Sequence, residues 1–121
     1  MTSHDFFSML DRMADAWRSK RYQEVAARFS DDAYYCDPLS YELLSRDEIL
    51  AFFQAEEEGE NCTFHNAVFD EGRQIGVAEY SYSGSNTYHG TVWVKLEDEK
   101  IVEWREYQHK TTKPWSEFWK T

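Results

Sequence analysis

Apolar residues Phe6, Leu10, Met13 and Trp17 recur at helical spacing behind Thr2 and Ser3, while Asp11, Arg12, Arg18 and Lys20 fall on the other side. This stripe predicts a first helix, capped by Ser3 or Thr2 and running to about Lys20. After the polar break at Ser19-Lys20-Arg21, the residues Tyr22, Val25, Ala26 and Phe29 predict a short second helix, ended by Ser30-Asp31-Asp32. A short strand is expected over residues 33–37, stopped by Pro38, which has no N–H to give to a ladder. A loop over residues 39–44 then leads to Ser45-Arg46-Asp47-Glu48, a capping box ahead of Ile49, Phe52 and Phe53, and so to a third helix. The acidic run at residues 56–60 is expected to be a solvated turn.

The second half of the chain changes period. Residues 63–69, 75–83, 88–96 and 101–109 are rich in β-branched and aromatic side chains. Turn-forming clusters separate them: Asp70-Glu71-Gly72, Gly84-Ser85-Asn86 and Glu97-Asp98-Glu99. Four strands joined by short hairpins make an antiparallel meander, and helices gathered ahead of such a sheet predict one α+β domain over residues 1–121. Alternation sorts the faces. Ala78, Tyr80 and Tyr82, with Val92, Val94 and Leu96, share the helix-covered side with Trp104, Glu106 and Gln108. A carboxylate on a core-facing side must be paired, protonated or wetted, so Glu106 predicts a cavity at that end of the sheet. In the C-terminal stretch Trp115, Phe118 and Trp119 suggest docking on the domain or on a partner.

Composition narrows the function classes. Of 121 residues, 17% are aromatic, enough to build pocket walls as well as a core. The formal net charge of −10 and the absence of a basic patch argue against nucleic acid and against anionic membrane surfaces. Cys36 and Cys62 form no CxxC pair, which excludes a zinc ribbon or a thioredoxin-type site. The start, MTSHDFF, is too acidic for a secretion signal, so a cytoplasmic chain with two free thiols is expected. His4, His65, His89 and His109 lack metal-ligand spacing, and no dinucleotide or phosphate fingerprint appears, so neither metal nor cofactor is expected.

Three stretches, FSDDAYYCDP, SRDEILAFF and YHGTVWVKLEDEKIVEWREY, in that order and spacing, resemble the SnoaL-like group of the nuclear transport factor 2-like superfamily. The resemblance covers nearly the whole chain. It implies a cone: three N-terminal helices packed on a strongly curved antiparallel sheet, a pocket at the open end, and frequent homodimers through the sheet's outer face. The superfamily includes ketosteroid isomerase, polyketide cyclases and limonene epoxide hydrolase, but also transport factors and association domains, so fold does not supply function. Asp37, directly before Pro38, stands where the isomerase and cyclase relatives keep a catalytic Asp. Met13 and a position near Val92 stand where the isomerase has its enolate-stabilising Tyr and protonated Asp, so that oxyanion hole does not carry over. The hydrolase's Asp-Arg-Asp water clamp has no match.

The candidate site therefore has Asp37 as general base, His89 as proton donor and Glu106 as acid/base partner. His89 is favoured over His65 because the adjacent Gly90 would let a ligand approach. Against these readings, Asp37 can simply close the turn at Pro38, a strand His is usually only half-buried, and Glu106 can pair with Arg105 or Lys95. Trp17, Tyr35, Tyr80, Tyr82, Trp104 and Gln108 are the expected ligand-binding walls for a small hydrophobic cyclic molecule. The alternative is a non-enzymatic dimeric module whose Trp93, Tyr107 and C-terminal Trp residues carry protein contacts. A homodimer is expected in either case, because a sheet face bearing Trp93 and Tyr107 is costly to leave in water.

Overall fold

The computed structural model describes residues 1–55, 61–84 and 86–118. The first helix, α1 (Ser3–Arg18), starts where the Thr2 side chain accepts the Asp5 N–H, and it buries Phe6, Met9, Leu10, Met13 and Trp17. It ends two residues earlier than the pattern suggests, and Lys20 takes a left-handed φ of 59° in the turn that follows. The second helix, α2 (Tyr22–Ala26), is a single turn. Phe29 does not belong to it but opens β1 (Phe29–Asp37), which is longer than expected. Phe29 is buried in either conformation, so helical spacing alone misassigns it.

After Pro38 the chain forms β2 (Tyr41–Leu43) where a loop was expected. Next comes α3 (Arg46–Ala55), at whose start the Glu48 N–H donates to Ser45 Oγ while the Glu48 carboxylate accepts the Leu44 N–H. The four predicted strands follow as β3 (Asn61–Asp70), β4 (Ile75–Ser83), β5 (Thr87–Glu97) and β6 (Lys100–Lys110). Asp98 and Glu99 turn β5 into β6 with φ of 50° and 65°, the pair of positive values a type I′ turn requires. A last turn of helix, α4 (Trp115–Phe118), completes the described chain. The fold thus has four helices among the described residues, two long and two of a single turn, rather than simply three ahead of the sheet. The acidic segment 56–60 and Trp119 lie outside the described residues.

One curved, unclosed sheet has the order β2-β1-β6-β5-β4-β3. It is not wholly antiparallel. β1 runs parallel to β6, with Tyr34 opposite Glu103, Tyr35 opposite Trp104 and Cys36 opposite Arg105. Period-two alternation reports which face a residue takes but not which way its neighbour runs, so this pair could not be read from the pattern. The register of β4, β5 and β6 does follow the alternation: Ala78 faces Val92, Val92 faces Glu106, Val94 faces Trp104, and Gly90 lies between Tyr80 and Gln108. These residues line the concave side.

α1 lies in the concavity and divides it. Near its start, Phe6 stacks on Phe69 at 4.5 Å between ring centroids, packed against the bare backbone of Gly76. Met9, Leu10, Val94, Leu96 and Ile101 fill this end completely. At the other end Trp104 is the hub. It stacks on Tyr35 at 5.9 Å and 9°, and meets Trp17 and Phe29 edge-on at 6.0 and 5.9 Å. Beyond that hub the packing opens.

Candidate functional site

The open end holds a cavity of about 260 Å³, near the lower edge of the range typical of small-molecule sites. Its walls are rings. Trp17 comes from α1, Tyr35 from β1, Tyr41 from β2, and Phe52 and Phe53 from α3. The sheet adds Phe64, Tyr80, Tyr82, Tyr88 and Trp104, with Asn86 beside Tyr88. Every predicted wall residue, Trp17, Tyr35, Tyr80, Tyr82, Trp104 and Gln108, lines this cavity. Tyr41, Phe52, Phe53, Phe64 and Tyr88 line it too and were not anticipated. Tyr41 was missed because the span after Pro38 reads as loop, although the alternating Tyr-Glu-Leu there is a weak strand signal.

Among the described lining residues Glu106 is the charged side chain, and it is 8% exposed. Neither Arg105 nor Lys95 pairs with it: Arg105 lies on the outer face with Glu103 and under Trp93, and Lys95 approaches Glu97. Its partner is the Tyr41 hydroxyl, which donates to Glu106 Oε1. Burial pushes the Glu106 carboxyl up to about 7, against the pull of the Tyr41 hydrogen bond and of the nearby Trp104 and Tyr35 side chains. The Asp37 carboxylate adds a further upward push. Burial likewise raises Tyr35, Tyr41 and Tyr80, each with the Glu106 charge as the second cause, so all three phenols stay protonated.

A second chain of hydrogen bonds runs beside it. The Tyr80 hydroxyl donates to Gln108 Oε1 at 2.5 Å, and Gln108 Nε2 donates to Asp37 Oδ2 at 3.1 Å. Asp37 Oδ1 accepts the Leu39 N–H at 3.0 Å, closing the turn around Pro38. Asp37 is 7% exposed and does not line the cavity. Both of its oxygens are engaged behind Gln108, so the site brings Glu106 and Gln108 to the ligand space and leaves Asp37 one layer back. Gly90 serves this network, since a Cβ there would come within 2.7 Å of the Tyr80 ring and 2.8 Å of Gln108 Cβ.

His89 is not in the cavity. Its alternation partner Gly90 takes the concave side, so His89 points through the outer face, opposite Ser81 and His109. There α4 covers it: the Phe118 ring lies 4.8 Å from the imidazole, and Trp115 lies 5.4 Å from it while stacking flat on His65 at 4.0 Å. His89 is 1% exposed, and neither ring nitrogen finds a hydrogen-bond partner among the described residues. Burial holds both His65 and His89 below the usual imidazole range. Both cysteines are buried and outside any disulfide, and the described residues contain no cluster of three or more His, Cys, Asp and Glu arranged to hold a metal. Among the described residues no helix is long and apolar enough to cross a membrane.

Comparison with solved structures returns the same architecture at low identity. An LEH-like epoxide hydrolase from M. tuberculosis superposes with a TM-score of 0.71 and 14% identity, covering 84% of this chain and 80% of its own. A protein of ketosteroid isomerase-like fold from Catenulispora acidiphila, solved in complex with trimethylamine, gives 0.72 and 17%, covering 82% and 83%. An NTF-2 like protein of unknown function from Burkholderia xenovorans gives 0.76 and 16%, covering 94% and 91%. No curated protein matches the sequence. These neighbours share the fold, an NTF2-like curved sheet, and residues 10–104 match the SnoaL-like domain, so the chain belongs to the SnoaL-like family.

Proposed function

We propose that this protein binds a small, ring-bearing molecule in the aromatic cavity and exchanges a proton with it through Glu106. The observation that carries the reading is a carboxyl buried in the cavity wall whose ionisation burial has moved to about 7. A group poised there holds both protonation states at physiological pH, which is what a general acid/base needs. Tyr41 holds the carboxylate in place, and the chain from Asp37 through Gln108 fixes Tyr80 against the same space. In this reading Asp37 is a positioning residue and Glu106 takes the catalytic role. His89, on the far side of the sheet, has none. Solved neighbours with this fold include an epoxide hydrolase and a protein holding trimethylamine, which supports small-ligand chemistry in such a cone.

Hydrogen–deuterium exchange at the α-carbon of a panel of small cyclic ketones, followed by NMR in D2O, tests the chemistry. Wild-type protein should accelerate exchange for at least one ring size, and Glu106→Gln should remove about 10²-fold or more of that acceleration. Asp37→Asn should weaken ligand binding and keep most of the exchange, with its pH midpoint moved slightly down because the Asp37 charge no longer raises Glu106. Undiminished exchange in Glu106→Gln would overturn the assignment.

The outer sheet face carries Val68, 68% exposed, and Tyr107, 53% exposed, and we propose that it pairs two copies of the chain. Trp93 contributes less than its size suggests, because the Arg105 guanidinium lies 5.4 Å over its ring. A monomer by light scattering at micromolar concentration would refute the pairing. An unfilled cavity favours the ligand-binding reading over a purely structural module, whose own side chains would fill the space.

A further inference from the structure

The polar atoms of the cavity are oriented, and their orientation selects a ligand. Asp37 can only accept, so Gln108 must turn its amide nitrogen toward Asp37 and its oxygen toward Tyr80. Gln108 Oε1 then takes the Tyr80 proton, and Tyr80 presents only lone pairs to the cavity. Tyr41 gives its proton to Glu106 and likewise presents lone pairs. The Trp104 N–H, buried without a hydrogen-bond partner, is turned toward the Glu106 side of the site. The carboxylate, the Tyr41 and Tyr80 oxygens and the aromatic faces are electron-rich, and the donors beside them, the Asn86 amide and the Trp104 N–H, are neutral. No Lys, Arg or His stands among the described lining residues to balance them.

From this arrangement we infer that the cavity takes an organic cation: a protonated or quaternary amine on a small apolar body, its charge held between Glu106 and the surrounding rings. The inference rests on the reading of the cavity as a ligand site and adds the charge of the ligand. Each aromatic face that meets a desolvated cation adds up to about tenfold or more in affinity. The groups facing Glu106 are Tyr35 and Asp37 from β1, Tyr41 from β2 and Tyr80 from β4, and Cys62 of β3 faces Tyr35 and Tyr80. The helices contribute Trp17, Phe52 and Phe53, which do not ionise. Glu106, raised to about 7, changes charge near neutrality. A cation requires its ionised form, so affinity should rise with pH. With the carboxyl at about 7, binding should be about tenfold tighter at pH 8 than at pH 6 and should release a proton on the acid side.

The test is calorimetric titration of the full chain with benzyltrimethylammonium and with its neutral isostere neopentylbenzene, at pH 6, 7 and 8 in buffers of different ionisation enthalpy. Support would be a preference of about tenfold or more for the cation, tightening toward pH 8, with Glu106→Gln erasing the preference while neopentylbenzene still binds. Equal affinity for the two probes, or cation binding unchanged in Glu106→Gln, would overturn the charge assignment and leave the cavity a ligand site. Tighter binding of the neutral probe than of the cation at pH 8 would overturn it in favour of an uncharged, apolar ligand. Failure of both probes at every pH, in protein shown to be folded by its near-ultraviolet dichroism, would overturn the charge assignment and the ligand-site reading together.

Discussion

The two faces of strands β4 to β6 carry buried ionisable groups on neighbouring strands, His89 on β5 and Glu106 on β6, and they treat them in opposite ways. On the concave face Glu106 is held by a tyrosine hydroxyl at the edge of an open space. On the convex face His89 lies under Phe118 and Trp115, its ring nitrogens without a hydrogen bond among the described residues. Burial drives each toward its neutral form, but in opposite directions on the pH axis: the carboxyl rises and the imidazole falls. A polar group with arranged partners beside a cavity marks a site built for a ligand. A polar group sealed by rings marks a cover. Strand residues with identical local structure thus acquire different roles from what is laid over them.

The contrast can be broken most forcefully at its hub. Trp104→Ala should cost about 3–5 kcal/mol in a urea melt, because Trp17, Phe29 and Tyr35 all lean on that ring. A loss under 1 kcal/mol would mean that the concave wall is not packed as described.

Glu106→Gln should act next. An unfolded Glu titrates near 4.5 and the folded one near 7, so the folded state prefers the proton between these values. Its favourable contribution is complete below 4.5 and is lost as the pH rises through 7. At pH 8 the variant should be more stable than wild type by up to about 3 kcal/mol, and the gain should vanish near pH 4. A gain independent of pH would locate the effect elsewhere.

His89→Leu should be smaller and of the same sign, about 1–2 kcal/mol of stabilisation at pH 6, since it removes two unpartnered ring nitrogens from a sealed space. His65 and His89 have folded pKa values below the ordinary 6.5. Their contribution is present above 6.5 and is lost as the pH falls through the folded values. The two faces therefore oppose each other below neutrality: the concave carboxyl loses stability as the pH rises from 4.5 through 7, and the convex imidazoles lose it as the pH falls below 6.5. Trp115→Ala should be the mildest change, about 1 kcal/mol, and should weaken the histidine contribution alone. A change in the Glu106 contribution instead would show that the two faces are coupled.

Alternation made much of this legible in advance. It placed Tyr80, Tyr82, Trp104, Glu106 and Gln108 on one face, because the parity of a regular strand survives errors in its exact ends. The same parity puts His89 with Trp93, away from Val92, so its outward direction could have been read from the residues that identified the concave side. Asp37 is different. Its position before Pro38 is visible in sequence, but the direction of its carboxylate depends on Gln108, some seventy residues away, and on the Leu39 N–H. Tyr41 was hidden for a related reason. A three-residue edge strand gains its structure from pairing with β1, and local pattern carries little of that.

The order β2-β1-β6-β5-β4-β3 gives β6 a further role. The N-terminal pair β2-β1 and the meander β3 to β5 meet nowhere in the sheet except through it. A chain emerging from the ribosome can close its β3–β4–β5 hairpins early, yet β1 stays without its inner neighbour until β6 has been synthesised. Because Trp104, Glu106 and Gln108 all lie on that strand, assembly of the sheet and completion of the binding hollow are a single late event, and no shorter nascent intermediate possesses the site.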